Sequence, residues 1–145
     1  YYQISENYLC EPVQHYGFYL TPLQNFEKGK TVFYPHGYSN YFFHPTHPHE
    51  LIIVSTENNK VSILNCLSGE IVRTISKGKE YAFCNIDPVT GNYLFRNSYY
   101  VLITNENGDE LFRMRSEDAS PYLANNILTC WAGAAINVEP YLKKP

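Results

Sequence analysis

Four histidines fall in the stretch 36–49, at His36, His44, His47 and His49, and Glu50 follows the last of them. Imidazole nitrogens and a carboxylate are ordinary ligands of zinc and other first-row divalent metals. His47 and His49 are two apart, which on an extended strand sets both side chains on one face. His44 approaches across a turn, and Glu50 offers an oxygen. The chemistry such a set would support is that of a small β-rich metal-dependent enzyme held on His44, His47 and His49. Pro45 and Pro48 interrupt the run, however, and read as an exposed turn rather than a preorganised site. The leading expectation is therefore no metal and no cofactor.

Other reactive patterns are scarce. Gly29–Lys30–Thr31 has the look of a phosphate-loop tail, but Gln24 stands where such a loop needs glycine, and a strand rather than a helix follows. The reading is a turn over Glu27–Lys30. Neither a Gly-x-Ser-x-Gly elbow nor a His-Glu-x-x-His helix occurs. Cys10, Cys66, Cys84 and Cys130 form no Cys-x-x-Cys pair, so a zinc knuckle or a thioredoxin motif is excluded and buried free thiols are expected. Trp131 reads as packing. Eleven Lys and Arg against fourteen Asp and Glu leave a net charge of −3 with no basic stripe, so nothing signals nucleic acid.

The elements that must position these groups are strands. Charged residues make up 17 % and hydrophobic ones 44 % of the 145 residues, a composition that packs a core; aromatics reach 16 %, mostly tyrosine. Phe42–Phe43, Leu51–Val54, Val61–Leu64 and Ile71–Ile75 are strand-length apolar runs separated by turn residues. A second copy follows at an offset of 40: Val61–Asn65 answers Val101–Asn105, and Glu70–Arg73 answers Glu110–Arg113. Upstream, Phe43–His44–Pro45 answers Ile86–Asp87–Pro88. A partial third copy sits near the end, where Ile136–Val138 answers Val61–Ile63.

A repeat of about 40 residues carrying four short strands is the signature of a propeller blade. With its His/Asp-Pro turn after the first strand and its Asn-rich turns, the segment Phe43–Ile75 resembles a WD-repeat blade, and Phe83–Met114 resembles the next. The Trp-Asp pair is replaced by Leu64–Asn65 and Thr104–Asn105, and the Gly-His pair is missing. The expected fold is all-β, with consecutive four-stranded antiparallel blades of a partial WD40-like β-propeller. Residues 41–80 and 81–115 are expected to form blades and 116–145 a partial one; 1–40, with strands at Tyr16–Leu20 and Thr31–Tyr34, read as outer strands of an earlier blade or as a peptide wrapping over the sheet edges. A compact sandwich or barrel with a coincidental repeat is the architectural alternative.

The resemblance implies a protein–protein interaction or scaffold module rather than an enzyme, a subunit or fragment of a larger complex. Its partners are proteins, or another chain completing the propeller, since an open array leaves an unpaired sheet face at each end. Rim loops between second and third strands, and between blades, carry Tyr81, Tyr99, Arg115 and Tyr122, the residue types that dominate binding hot spots. No apolar run approaches membrane-span length, and no Asn-x-Ser/Thr acceptor occurs among fourteen asparagines. An intracellular setting, cytoplasmic or nuclear, is expected. The chain starts on tyrosine rather than an initiator methionine, so sequence is expected to precede it.

Overall fold

The computed structural model describes residues 2–23, 30–117, 120–130 and 133–144. The Glu27–Lys30 turn (apart from Lys30) and Trp131 lie outside them. Fifteen strands and one short 3-10 turn at Glu139–Tyr141 are defined among the described residues. The chain divides into two compact units, Tyr1–Thr74 and Ile75–Pro145.

Unit 1 opens with β1 (Gln3–Ile4), β2 (Tyr8–Val13), β3 (Gly17–Pro22) and β4 (Val32–Tyr34), paired in the order β1-β2-β3-β4. Sequence reading found only the last two of these. It missed β2 because Pro12 falls inside it, and proline lacks the N–H a central strand donates. Pairing explains the tolerance: β1 covers β2 only at Leu9 and Cys10, so Pro12 stands where one side of β2 is already an edge. The second sheet holds β5 (Ser39–Phe43), β6 (Glu50–Ser55), β7 (Val61–Asn65) and β8 (Ile71–Ile75), again in chain order. Strand alternation sends Cys10, Phe18 and Leu20 of the first sheet and Tyr41, Leu51, Ile53 and Leu64 of the second into one apolar cluster. Ile52, Val54, Val61 and Ile63, on the opposite face of the second sheet, are buried as well. Near-continuous apolar β6 is the sequence of a strand covered on both sides.

Unit 2 repeats the scheme. Its sheet comprises β9 (Ala82–Ile86), β10 (Tyr93–Arg96), β11 (Tyr100–Thr104) and β12 (Glu110–Arg115), and three strands follow: β13 (Tyr122–Ala124), β14 (Ile127–Thr129) and β15 (Ala135–Asn137). Leu94, Val101 and Ile103 pack with Leu123, Leu128 and Val138 in a second cluster. The architecture is all-β and made of consecutive antiparallel meanders, as the repeat predicted.

Asparagine closes two of the hairpins. Asn65 Oδ1 accepts the Leu67 and Ser68 amides, and Asn105 Oδ1 accepts those of Asn107 and Asp109. Each side chain substitutes for backbone partners that a tight turn leaves over.

Candidate functional site

His44, His47, His49 and Glu50 flank the first proline turn and have the side-chain types of metal ligands. His44 is buried, and its Nδ1 accepts the amides of Thr46 at 3.1 Å and His47 at 3.0 Å. A nitrogen that accepts two N–H groups carries no proton, so in the neutral ring the proton sits on Nε2. The His47 ring lies flat against that of His44, centroids 3.9 Å apart and 4° from parallel. His47 Nδ1 is 3.2 Å from Glu50 Oε1, an ion-pair contact rather than an aligned hydrogen bond. Arg73 Nη2 donates to the same oxygen at 2.6 Å. His49 points elsewhere: its Nδ1 is 2.7 Å from the Tyr8 hydroxyl. His36 is likewise used locally, its carbonyl accepting the Tyr41 hydroxyl and its ring stacking on Phe18.

His44, His47 and Glu50 thus stand close enough to share an ion, with one ligand atom from each within 4.8 Å of the others, and His49 is not among them. Their present bonds favour a different role. Metal at His44 would need the protonated Nε2 stripped or both turn amides abandoned, and the Arg73 guanidinium against Glu50 opposes a second cation. Burial, and then the neighbouring His47, pushes the His44 imidazolium down to about 4. Burial pushes the Glu50 carboxyl up, but the hydrogen bond from Arg73 and the proximity of His47 outweigh that and hold it below the usual range. This is a turn built on a neutral imidazole acceptor beside an ion pair.

The corresponding turn in unit 2 rests on Asp87, which is fully buried. Its Oδ1 accepts the amides of Val89, Thr90 and Asn125, and Oδ2 that of Asn126. Asn125 and Asn126, at φ 49° and 61°, form the two-residue turn between β13 and β14. Such a left-handed pair suits asparagine and aims its amides outward. Burial alone would raise the Asp87 carboxyl, yet the amides of Asn126, Val89 and Asn125 hold it below the ordinary range. The sequence marked Asp87 as a turn residue; nothing local signals that it also grips a turn nearly forty positions on.

The four residues expected to bind a partner separate. Tyr81 is buried, its hydroxyl accepting from Arg113 Nη1 at 2.7 Å with the guanidinium 5.6 Å over its ring. Tyr99 is 56 % exposed, and the Arg115 guanidinium lies 5.9 Å over its ring. Asn97 Oδ1 shapes that loop by accepting the Tyr99 and Tyr100 amides, and the Ser116 amide donates to the Tyr99 carbonyl. Tyr122 is exposed on β13 and makes no described ring contact with either pair. Tyr99, Arg115 and Tyr122 are exposed to solvent, while Tyr81 anchors Arg113.

Sequence reading passed over one further pair. His15 and Tyr38 both hold left-handed backbone, at φ 69° and 51°, and their rings meet 4.7 Å apart in unit 1. Neither falls in the repeat, which is why no pattern flagged them.

No family model and no curated protein matches this chain. Among solved structures it is similar to BamB from Moraxella catarrhalis, a β-propeller protein, with a TM-score of 0.63 and 16 % identity. The match covers 92 % of this chain and 40 % of that one, so the chain spans less than half the length of the structure it resembles. The likeness is one of fold: these sheets are propeller-like blades.

Proposed function

We propose that this chain is a protein-interaction module within a larger β-propeller, and that its partner seats on the rim carrying Tyr99 and Arg115. The observation that carries the reading is that pair itself: an exposed tyrosine on a loop fixed by Asn97, with the guanidinium of Arg115, at the end of β12, lying over its ring. Large side chains held in place bind with little ordering cost, and Tyr and Arg dominate measured hot spots. Exposed Tyr122 extends the same surface in this reading.

Other features fit a subunit of a larger assembly. Ile4, Tyr19 and Phe33 are exposed in the first sheet, with the Tyr19 and Phe33 rings 5.1 Å apart on cross-strand partners. An aromatic sheet face of this kind is the surface a further blade covers, whether from additional sequence or from another chain. The blades are of WD type in their proline turns, with asparagine taking over the hairpin closure. Their role is scaffolding rather than catalysis. An intracellular setting, cytoplasmic or nuclear, accords with four free cysteines, of which Cys10, Cys66 and Cys84 are pushed by burial up to about 12.

The test is substitution on the rim. Tyr99→Ala or Arg115→Ala should weaken a cross-linked and recovered partner by about 1–2 kcal/mol in calorimetric titration, with stability within about 0.5 kcal/mol of the parent. A lowered unfolding midpoint with unchanged partner affinity would make both residues structural and sink the assignment.

A further inference from the structure

Five non-glycine residues in the described chain hold positive φ, and three of them, Asn59, Asn125 and Asn126, are asparagines in turns, where that backbone is well tolerated. The other two are His15 and Tyr38, and they face each other. For a bulky residue such as Tyr38 the left-handed region is disfavoured, and it persists only where surroundings impose it. They do so here. The Tyr38 carbonyl accepts both the amide and the hydroxyl of Thr56, each at 2.7 Å. Gly37 runs so close to the His15 carbonyl that a Cβ there would lie 2.5 Å from it. Yet Tyr38 is 51 % exposed and His15 is exposed, so the strained backbone is not offset by burying either ring. A pair of exposed rings, of which Tyr38 is held against its own conformational preference, is the kind of local strain that accompanies a binding site.

The rings stand in a cleft of about 410 Å³ whose lining includes Pro12, Val13, Ser39, Asn40 and Tyr41, and which carries no Asp, Glu, Lys or Arg. One wall is β5, an edge strand. The His44 amide donates to the Glu50 carbonyl across β5 and β6, and antiparallel bonding alternates along a strand. Residues 40, 42 and 44 therefore bond inward, and Ser39 and Tyr41 turn their backbone N–H and C=O groups to the free edge. We propose that this cleft binds an extended, uncharged peptide. Its main chain bonds along Ser39–Tyr41, and one apolar side chain lies on the Tyr38–His15 rings. Uncharged lining selects an uncharged segment, the strand edge selects extended backbone, and the rings supply the anchor. This site is independent of Tyr99 and Arg115.

The probe is the peptide Ac-Ser-Val-Leu-Val-Ser-amide, titrated into the isotopically labelled full chain and followed by amide chemical shifts. Saturable shifts are expected at residues 13–15 and 38–41. Tyr38→Ala, His15→Asn, N-methylation of alternate peptide amides, and aspartate in place of the central leucine should each weaken binding by about tenfold or more. His15→Asn keeps a residue that accepts left-handed backbone, so its loss reports the ring rather than the turn. Arg115→Ala should leave the peptide bound as before, which separates this site from the rim. Tyr38→Gly should abolish binding while raising the unfolding midpoint, because it relieves strain. Absence of saturable shifts, binding indifferent to N-methylation or to Tyr38→Ala, or a Tyr38→Gly protein less stable than the parent would each overturn the proposal.

Discussion

The two proline turns occupy matching places in successive blades and solve one problem with different chemistry. In both, a side chain ahead of proline accepts two amides of the following turn: Thr46 and His47 for His44, Val89 and Thr90 for Asp87. Imidazole then has nothing further to give, since its only free lone pair is spent. Carboxylate has two oxygens, and with them Asp87 also takes the amides of Asn125 and Asn126. The substitution of one acceptor for another thus decides whether the turn is a local device or a clamp on the next sheet. Each charge state follows from its surroundings: backbone amides hold Asp87 ionised, whereas burial and the neighbouring His47 hold His44 neutral.

Breaking the clamp should have the largest effect. Asp87→Ala leaves four amides around a buried site without their acceptor, and we expect a loss of about 3–4 kcal/mol in urea unfolding. Asp87→Asn should recover only part of that, because its NH₂ group opposes amides that need an acceptor. Were Asp87→Ala to cost under about 1 kcal/mol, the β13–β14 turn would not depend on the carboxylate. The next effect is in pH. His44 has its folded value depressed to about 4 from an ordinary 6.5. Between these values the unfolded chain binds the proton and the folded chain does not, so stability falls as pH drops from 6.5 towards 4. His44→Asp installs the acceptor of unit 2 beside Arg73, His47 and Glu50. Its share of the pH dependence should then move below the ordinary carboxylate range. His36, also held down by burial, is common to both proteins, so the difference in their profiles isolates His44. Parallel profiles from pH 7 to 4.5 would show that His44 is not held neutral in the folded chain.

Legibility followed periodicity. Strands Val61–Asn65 and Ile71–Ile75, and with them Tyr100–Thr104 and Glu110–Arg115, were readable because apolar runs of strand length alternate with asparagine and glycine turns, twice in one register. Strand β2 was not, because its apolar run, Tyr8–Leu9–Cys10, is short and Pro12 argues against a strand. Chemistry was harder to read than fold. The histidine cluster had the right residue types, but whether a ring nitrogen faces a metal or a backbone amide depends on χ angles that spacing does not specify. The Asp87 clamp and the His15–Tyr38 contact join residues 38 and 23 positions apart, a distance at which no local pattern operates.

A repeat can also conserve a residue type while changing its employment, and the smallest predicted effects test this. Arg73 and Arg113 are equivalent at the offset of 40 and each is preceded by glutamate three positions earlier, Glu70 and Glu110. Arg113 binds that glutamate, donating from Nε at 2.9 Å and Nη2 at 2.8 Å, on a surface where its side chain is 42 % exposed. Arg73 instead reaches Glu50, whose side chain is 17 % exposed and which also faces His47. Solvent screens the first pair, while the second shields a carboxylate with less water to fall back on. Arg73→Gln should therefore cost about 1 kcal/mol and return the Glu50 carboxyl upward, whereas Arg113→Gln should cost about 0.5 kcal/mol or less. Raising the salt concentration should shrink the Arg113 contribution more than the Arg73 one, because exposed charges are the better screened. Urea midpoints at low and high salt measure both orderings. Equal costs that fade equally with salt would mean that the two arginines still do the same job, and that the switch from Glu70 to Glu50 has no energetic consequence.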